Sequence, residues 1–224
     1  AGTLGSRRTT LGETEVTVAA PKGQGMHRMD VLTLLTFVWP HVQAVFPRNP
    51  AKLLIVGAAS PMWKGSSASR NSIYLYSGLP LVSESGSSPL LREVVQVFSA
   101  INDEPGHVWI GEGLSEYYAI ELMRRAGGMS DERYQALQHR LNTAGKGVTR
   151  LRGQQVSPAM VARAVTLMQA LDREIRLQTH NKRSLDDVSQ ALMRMGKVNT
   201  ESFVQLSESV LGADSEVLDT PLLR

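Results

Sequence analysis

The sequence predicts an α+β fold, a small mixed sheet with helices followed by a helical C-terminal lobe. Three observations predict it. Short apolar or alternating runs, Glu15 to Ala19, Leu53 to Val56 and Ser72 to Tyr76, all fall before residue 77. From Pro89 onward apolar residues recur at helical spacing between helix start and stop signals. The 224 residues, 42% of them hydrophobic, suffice for a single domain with a substantial core. Its two lobes are expected at about 1–108, with the sheet, and about 109–224, all helical.

Taken in order, the stretch before Met26 offers one convincing strand, Glu15 to Ala19, where Val and Thr alternate. Asp30 suits an N-cap for an amphipathic helix through Leu32, Leu35, Phe37, Val42, Val45 and Phe46, with a kink at Pro40. Leu53 to Val56 is wholly apolar and ends at Gly57, as a buried central strand does. Ser60 to Asn71, rich in Ser and Gly, predicts a loop over the sheet, and Ser72 to Tyr76 a half-buried edge strand. Helices follow over Leu90–Phe98, Gly111–Arg125, Ser130–Asn142, Ser157–Gln178, Ser184–Met195 and Thr200–Leu211. Ser157-Pro158 pairs an N-cap with proline at the first helical position, and Gly196 and Gly212 stand where C-terminal glycines belong.

Composition excludes several classes. Lys and Arg number 24 against 21 acidic residues, and a formal charge of +3 is too small and dispersed to require a nucleic acid. Aromatic content of 5% gives no stacking platform interleaved with basic residues. The absence of cysteine rules out disulfides, thiolate metal sites and a cysteine nucleophile. No apolar run approaches the ~20 residues that span a bilayer. Ser83-Glu84-Ser85-Gly86 is no nucleophile elbow, and Gly145-Lys146-Gly147 lacks phosphate-loop spacing. The start at Ala1, without initiator Met or signal peptide, reads as a processed or excised fragment.

The informative segment is Arg92-Glu93-Val94-Val95-Gln96, followed by Trp109-Ile110-Gly111-Glu112-Gly113-Leu114-Ser115-Glu116-Tyr117-Tyr118. In His-Glu-x-x-His peptidases two histidines one helical turn apart grip zinc, and the Glu between them activates the bound water. Here the Glu stands alone. Together with Ala119 to Gly128, Ser130 to Tyr134, Val161 to Arg176 and Arg183 to Val188, this segment resembles the gluzincin metallopeptidases. The resemblance is closest to the bacterial glycyl aminopeptidase family and more distant to the membrane alanyl aminopeptidases. It covers most of the chain from about Asp30 onward and implies a thermolysin-like catalytic domain, with Arg92 and Gln96 at the histidine positions and Glu112 at the third ligand.

A guanidinium and a neutral amide are poor zinc ligands, so no metal and no catalytic residue are expected. On this reading Arg92, Glu93, Gln96, Glu112 and Val161 are vestigial. Arg92 is expected to replace the metal's charge beside Glu93 or Glu112. The resemblance further matches Ser67-Ala68-Ser69-Arg70-Asn71 to the loop that holds a substrate amine, with Arg70 where a Glu would stand. It places Val161 where some relatives carry an oxyanion-binding Tyr, while Arg163 is retained. Candidate cleft residues are therefore Arg70, Asn71, Tyr74, Glu116, Tyr118 and Arg163. A displaced metal set, Asp103, His107 and Glu112, is the alternative, although Pro105 and Gly106 break the helix that would align it.

The expected function is an aminopeptidase-like pseudoenzyme without cofactor, binding a peptide or protein partner along an edge strand near Ser72 to Tyr76. The first alternative is an active zinc metalloaminopeptidase using the displaced set. The second is a packing or oligomerisation domain of a larger protein. The resemblance also implies a missing upstream β-domain and a periplasmic or secreted location.

Overall fold

The computed structural model describes residues 4–23, 25–84 and 86–224. Ser85, part of the excluded elbow, lies outside them. The chain forms two compact units, Ala1–Ala100 with Tyr118–Ser130, and Ile101–Tyr117 with Asp131–Arg224. One segment of each unit is inserted within the other.

The first unit is built on a five-stranded mixed sheet of order β1-β2-β3-β5-β4. Strands β1 (Leu4–Leu11) and β2 (Thr14–Pro21) form an antiparallel hairpin. Its two-residue loop begins at Gly12, whose φ of 57° is the left-handed backbone that such loops favour glycine for. Strand β3 (Lys52–Ala58) is central, parallel to β2 and to β5 (Ser72–Tyr76), while β4 (Ser66–Ser69) pairs antiparallel with β5. Two strands thus appear where the sequence predicts none. Much of the expected Ser60 to Asn71 loop is β4 with a two-residue turn at Arg70 and Asn71, and it is β4 rather than Ser72–Tyr76 that ends the sheet.

Alternation decides which face of the sheet is covered. Val16, Val18, Leu53, Ile55, Ile73 and Leu75 are at most 1% exposed on one face, and helices pack over it. Helix α1 (Arg28–Val45) lies on β1 and β2, and α2 (Pro89–Ser99) on β4 and β5. Trp39 and Phe98 join the two helices edge to face at 5.3 Å. His27, not Asp30, precedes the first turn of α1: the Asp30 N–H already bonds the His27 carbonyl, leaving the Asp30 carboxyl in the first turn to complement the helix dipole. The helix continues through Pro40 to Val45.

The second unit is helical, with the first half of α3 (Trp109–Arg125), then α4 (Asp131–Gly145), α5 (Pro158–Gln178), α6 (Leu185–Leu192) and α7 (Thr200–Leu211). The caps act as their chemistry predicts. Ser157 accepts from the Met160 N–H with Pro158 at the first helical position, Ser184 and Asn199 each close a capping box, and Gly212 takes the left-handed cap with φ of 83°. Helix α6 stops at Leu192, short of the expected Met195, and Gly196 is no helix cap. The chain leaves the helix because Val198 pairs with extended backbone at Asn102 and Glu104.

Candidate functional site

Helix α2 carries the first half of the motif. Ser88 caps it by accepting from the Leu91 N–H at 3.2 Å, and Pro89 fixes its first turn. Leu90, Leu91, Val94, Val95, Val97 and Phe98 are buried, so Arg92 and Gln96, one turn apart, share the half-buried stripe that remains. Neither side chain offers a cation a ligand of the imidazole, thiolate or carboxylate kind. Glu93 is only 5% exposed, and its Oε1 accepts the Ser66 hydroxyl of β4 at 2.7 Å. The register places Ser66 opposite Leu75, on the covered face, which is what lets the two meet.

The second half of the motif begins α3. Both oxygens of Asp103 accept from the Gly111 N–H, at 3.0 and 3.2 Å, satisfying one of the donors that every helix start leaves over. Gly111 is required for this, since a Cβ there would lie 2.4 Å from Asp103 Oδ2. Gly113 is required for another reason: a Cβ would stand 2.8 Å from Ala164 Cβ, so its absence lets α5 close on α3. The motif's glycines thus have structural work of their own. Burial pushes the Asp103 carboxyl up from 3.8 to about 7, opposed by the Gly111 hydrogen bond and reinforced by the Glu112 charge.

His107, the histidine of the displaced set, is already occupied. Its Nδ1 accepts the Thr200 N–H at 3.0 Å and lies 2.8 Å from the Thr200 hydroxyl, which in turn accepts from the Trp109 indole at 3.1 Å. A backbone donor at Nδ1 puts the ring proton on Nε2, leaving neither nitrogen a lone pair for a cation. Among the described residues no group of three or more His, Asp or Glu side chains is arranged to hold a metal ion.

Arg70 and Asn71 are exposed at the tip of the β4–β5 turn, and Tyr74 lies on the sheet's open face, where its ring stacks on Trp63. Tyr118 is wholly buried and packs edge to face on Phe46 at 5.1 Å. Glu116 is 7% exposed and Val161 8%. Arg163 is half-buried in α5, with an Nε that makes no hydrogen bond.

Solved structures of this architecture identify the fold. An M1 zinc metallopeptidase mutant from Deinococcus radiodurans matches 99% of this chain with a TM-score of 0.68 at 15% identity. A mutant of that peptidase bound to a Tyr-Ser-Ala substrate matches 97% with a TM-score of 0.69, also at 15% identity. An aminopeptidase N family protein from Idiomarina loihiensis matches 96% with a TM-score of 0.63 at 11% identity. The fold is that of the M1 zinc metallopeptidases. This chain spans 43% to 52% of the length of those three. No family model matches the sequence, and no curated protein does. Among the described residues no helix is long and apolar enough to cross a membrane.

Two residues central to this geometry escape a reading of the sequence. Ser66 sits in a run of serines where nothing distinguishes it, and only strand pairing brings it to Glu93. Thr200 meets His107 across 93 positions. Its place immediately after the Asn199 cap marks a helix start but names no partner.

Proposed function

We propose that this chain is an aminopeptidase-like domain that has lost zinc and catalysis and serves as a peptide-binding or structural module. The observation that carries the reading is the bond from Ser66 to Glu93 within α2's packing on β4. A general base in such a site needs its carboxyl at a metal-bound water. Here one carboxyl oxygen is taken by a strand hydroxyl, and the flanking residues at helical spacing are Arg92 and Gln96. The zinc of the solved metallopeptidases does not fit these side chains, and the tautomer of His107 speaks equally against the displaced set.

Strand β4 ends the sheet, so an extended peptide adding to it would pair main chain to main chain, with Arg70 at the turn favouring a free carboxylate. Metal analysis of the purified protein, together with hydrolysis of aminoacyl fluorogenic substrates in added zinc, tests the loss of catalysis. Stoichiometric zinc with chelator-sensitive turnover overturns it. Peptides with free and amidated C-termini test Arg70, and equal binding of the two removes its assigned role.

A second reading, a domain that packs against another, is favoured by Met62 and Trp63, which are 55% and 62% exposed side by side. Sedimentation of the wild type against Trp63→Ser checks it, and a monomer in both cases counts against self-association.

A further inference from the structure

Strand β1 ends the sheet on the side away from β4, and among the described residues nothing pairs with its outer edge. The edge is long and regular, since the eight residues Leu4–Leu11 pair with β2 in unbroken register, without bulge or proline. The two-residue loop makes Leu11 and Thr14 a hydrogen-bonded pair, so Arg7 and Thr9 turn their main-chain groups toward β2, while Ser6, Arg8 and Thr10 turn theirs outward. The Glu15 N–H, which bonds the Ala51 carbonyl on the β3 side, fixes the same alternation from β2. Ser6, Arg8 and Thr10 are all exposed. Such a row of free N–H and C=O groups is a template for one more strand.

The charges beside this edge select what can add to it. Arg7 is exposed on the helix-covered side of the sheet, opposite Val18. Arg28 of α1 brings a second guanidinium to that side: it reaches the Ala20 carbonyl at 3.5 Å and lies over Gly5, where a Cβ would come within 3.0 Å of its central carbon. Positions two apart on a strand stand about 7 Å from one another, so two cations share the margin of the sheet. Neither makes an ion pair among the described residues. The acids nearby are directed elsewhere: Glu15 meets Arg8 on the open face at 3.4 Å, Asp30 lines the pocket beside Leu75 and Leu79, and Glu13 stands in the turn at the far end of the strand. A second copy of this chain is a poor occupant, because either central antiparallel register of β1 on itself sets Arg7 against Arg7 or Arg8 against Arg8.

We infer that β1 pairs with an extended acidic segment of another protein, one that carries two carboxylates two residues apart. Its main chain bonds the outward groups of Ser6, Arg8 and Thr10, and its carboxylates, on the helix-covered side, meet Arg7 and the Arg28 guanidinium over Gly5. The residue between the two carboxylates falls on the open face beside the Arg8–Glu15 pair, where charge is already balanced. Pairing of main chains supplies affinity, and the two arginines supply the choice of partner. This edge lies across the sheet from β4, so the inference is independent of the loss of catalysis and of the role given to Arg70.

The probe is a short peptide, acetylated and amidated, with glutamate at alternate positions and threonine between, read on the full chain through amide resonances and hydrogen exchange. It is expected to bind saturably and to slow exchange at Ser6, Arg8 and Thr10, while Arg7 and Thr9, already bonded to β2, stay as they are. The same peptide with lysine for glutamate should bind at least about ten-fold more weakly. Arg7→Gln and Arg28→Gln should each weaken the glutamate peptide about two- to five-fold. Ser6→Pro, on an edge strand at a position whose N–H points outward, should abolish binding. If that variant does not fold, methylating alternate amide nitrogens of the peptide removes the same hydrogen bonds from the ligand's side and should likewise abolish binding. Lysine and glutamate peptides that bind alike, a methylated peptide that binds as well as the parent, protection confined to β4, or a dimer of the free chain that slows exchange at Ser6, Arg8 and Thr10 overturns the proposal.

Discussion

Thr200 donates its backbone N–H to Nδ1 of His107 at 3.0 Å, and through its hydroxyl it joins that ring to the indole of Trp109, a side chain with no exposed surface. The histidine nearest the motif is therefore a packing element that fastens the start of α7 to the start of α3. His107→Leu leaves the Thr200 N–H without an acceptor and should cost about 1–3 kcal/mol in urea denaturation. His107→Asn, whose amide oxygen stands in for Nδ1, should recover most of it. Equal loss in both variants would show that ring volume, not the hydrogen bond, matters.

Ser66 and Ser67 are neighbours on one short strand, yet only Ser66 faces the helix-covered side and reaches Glu93. Ser66→Ala should destabilise the protein by about 1–3 kcal/mol, since it withdraws a donor from a buried carboxyl. Ser67→Ala, at an exposed position, should stay within about 0.5 kcal/mol. Chemical denaturation of the two side by side checks the difference.

Asp103 makes stability depend on pH in a stated direction. Its folded-state value, about 7, lies above the ordinary 3.8. Between those values the folded protein holds a proton that the unfolded chain has released, so stability is fully present below about pH 4 and declines as pH rises to about 7. The slope from this group alone is up to about 1.4 kcal/mol per pH unit. Asp103→Asn keeps an acceptor for the Gly111 N–H and should flatten that interval while raising the melting temperature at pH 7.5. A melting curve series from pH 4 to 8 in both proteins decides it.

Glu174 of α5 gathers the C-terminal segment through three donors, the Ser215 hydroxyl at 2.5 Å and the N–H groups of Glu216 and Val217 at 2.9 and 3.4 Å. Beyond it Leu218, Leu222 and Leu223 are buried, and Leu222 accepts from the Leu151 N–H. Glu174→Ala should cost about 2–3 kcal/mol, as loss of hydrogen bonds to a charged group does, and expose the last ten residues to carboxypeptidase. Unchanged proteolysis would mean that the leucines alone hold the segment.

The helices were legible because their signals are local. Ser157-Pro158, Ser184 to Asp187 and Asn199 to Ser202 carry their capping partners within three residues, so each start is written where it happens. Strands β1 and β4 were not. Both are the outermost strands of the sheet, with side chains largely exposed, and Ser66-Ser67-Ala68-Ser69 has no apolar alternation to betray it. The Leu-Gly-Glu-Thr turn at Gly12 was the one signal that would have revealed β1. Of the candidate site, the motif's place on α2 and α3 follows from helical periodicity, whereas the partners of Glu93 and His107 come from strands and helices far away in sequence. The packing of Tyr118 is hidden for a related reason, since a tyrosine beside a motif has the same local sequence whether it faces solvent or Phe46.

Helix α3 belongs to both units, its residues up to Tyr117 to one and those from Tyr118 to the other. No single scission of the polypeptide can therefore deliver either unit whole. A fragment ending at residue 108 would keep the sheet but lose Tyr118, and with it the ring that packs on Phe46. A fragment beginning at 109 would keep Trp109 but lose Asp103, which accepts from the Gly111 N–H in the first turn of its leading helix, and His107, which accepts from the Thr200 N–H at the start of α7. Evolution and the laboratory alike must then inherit this domain entire, as an indivisible piece of chain.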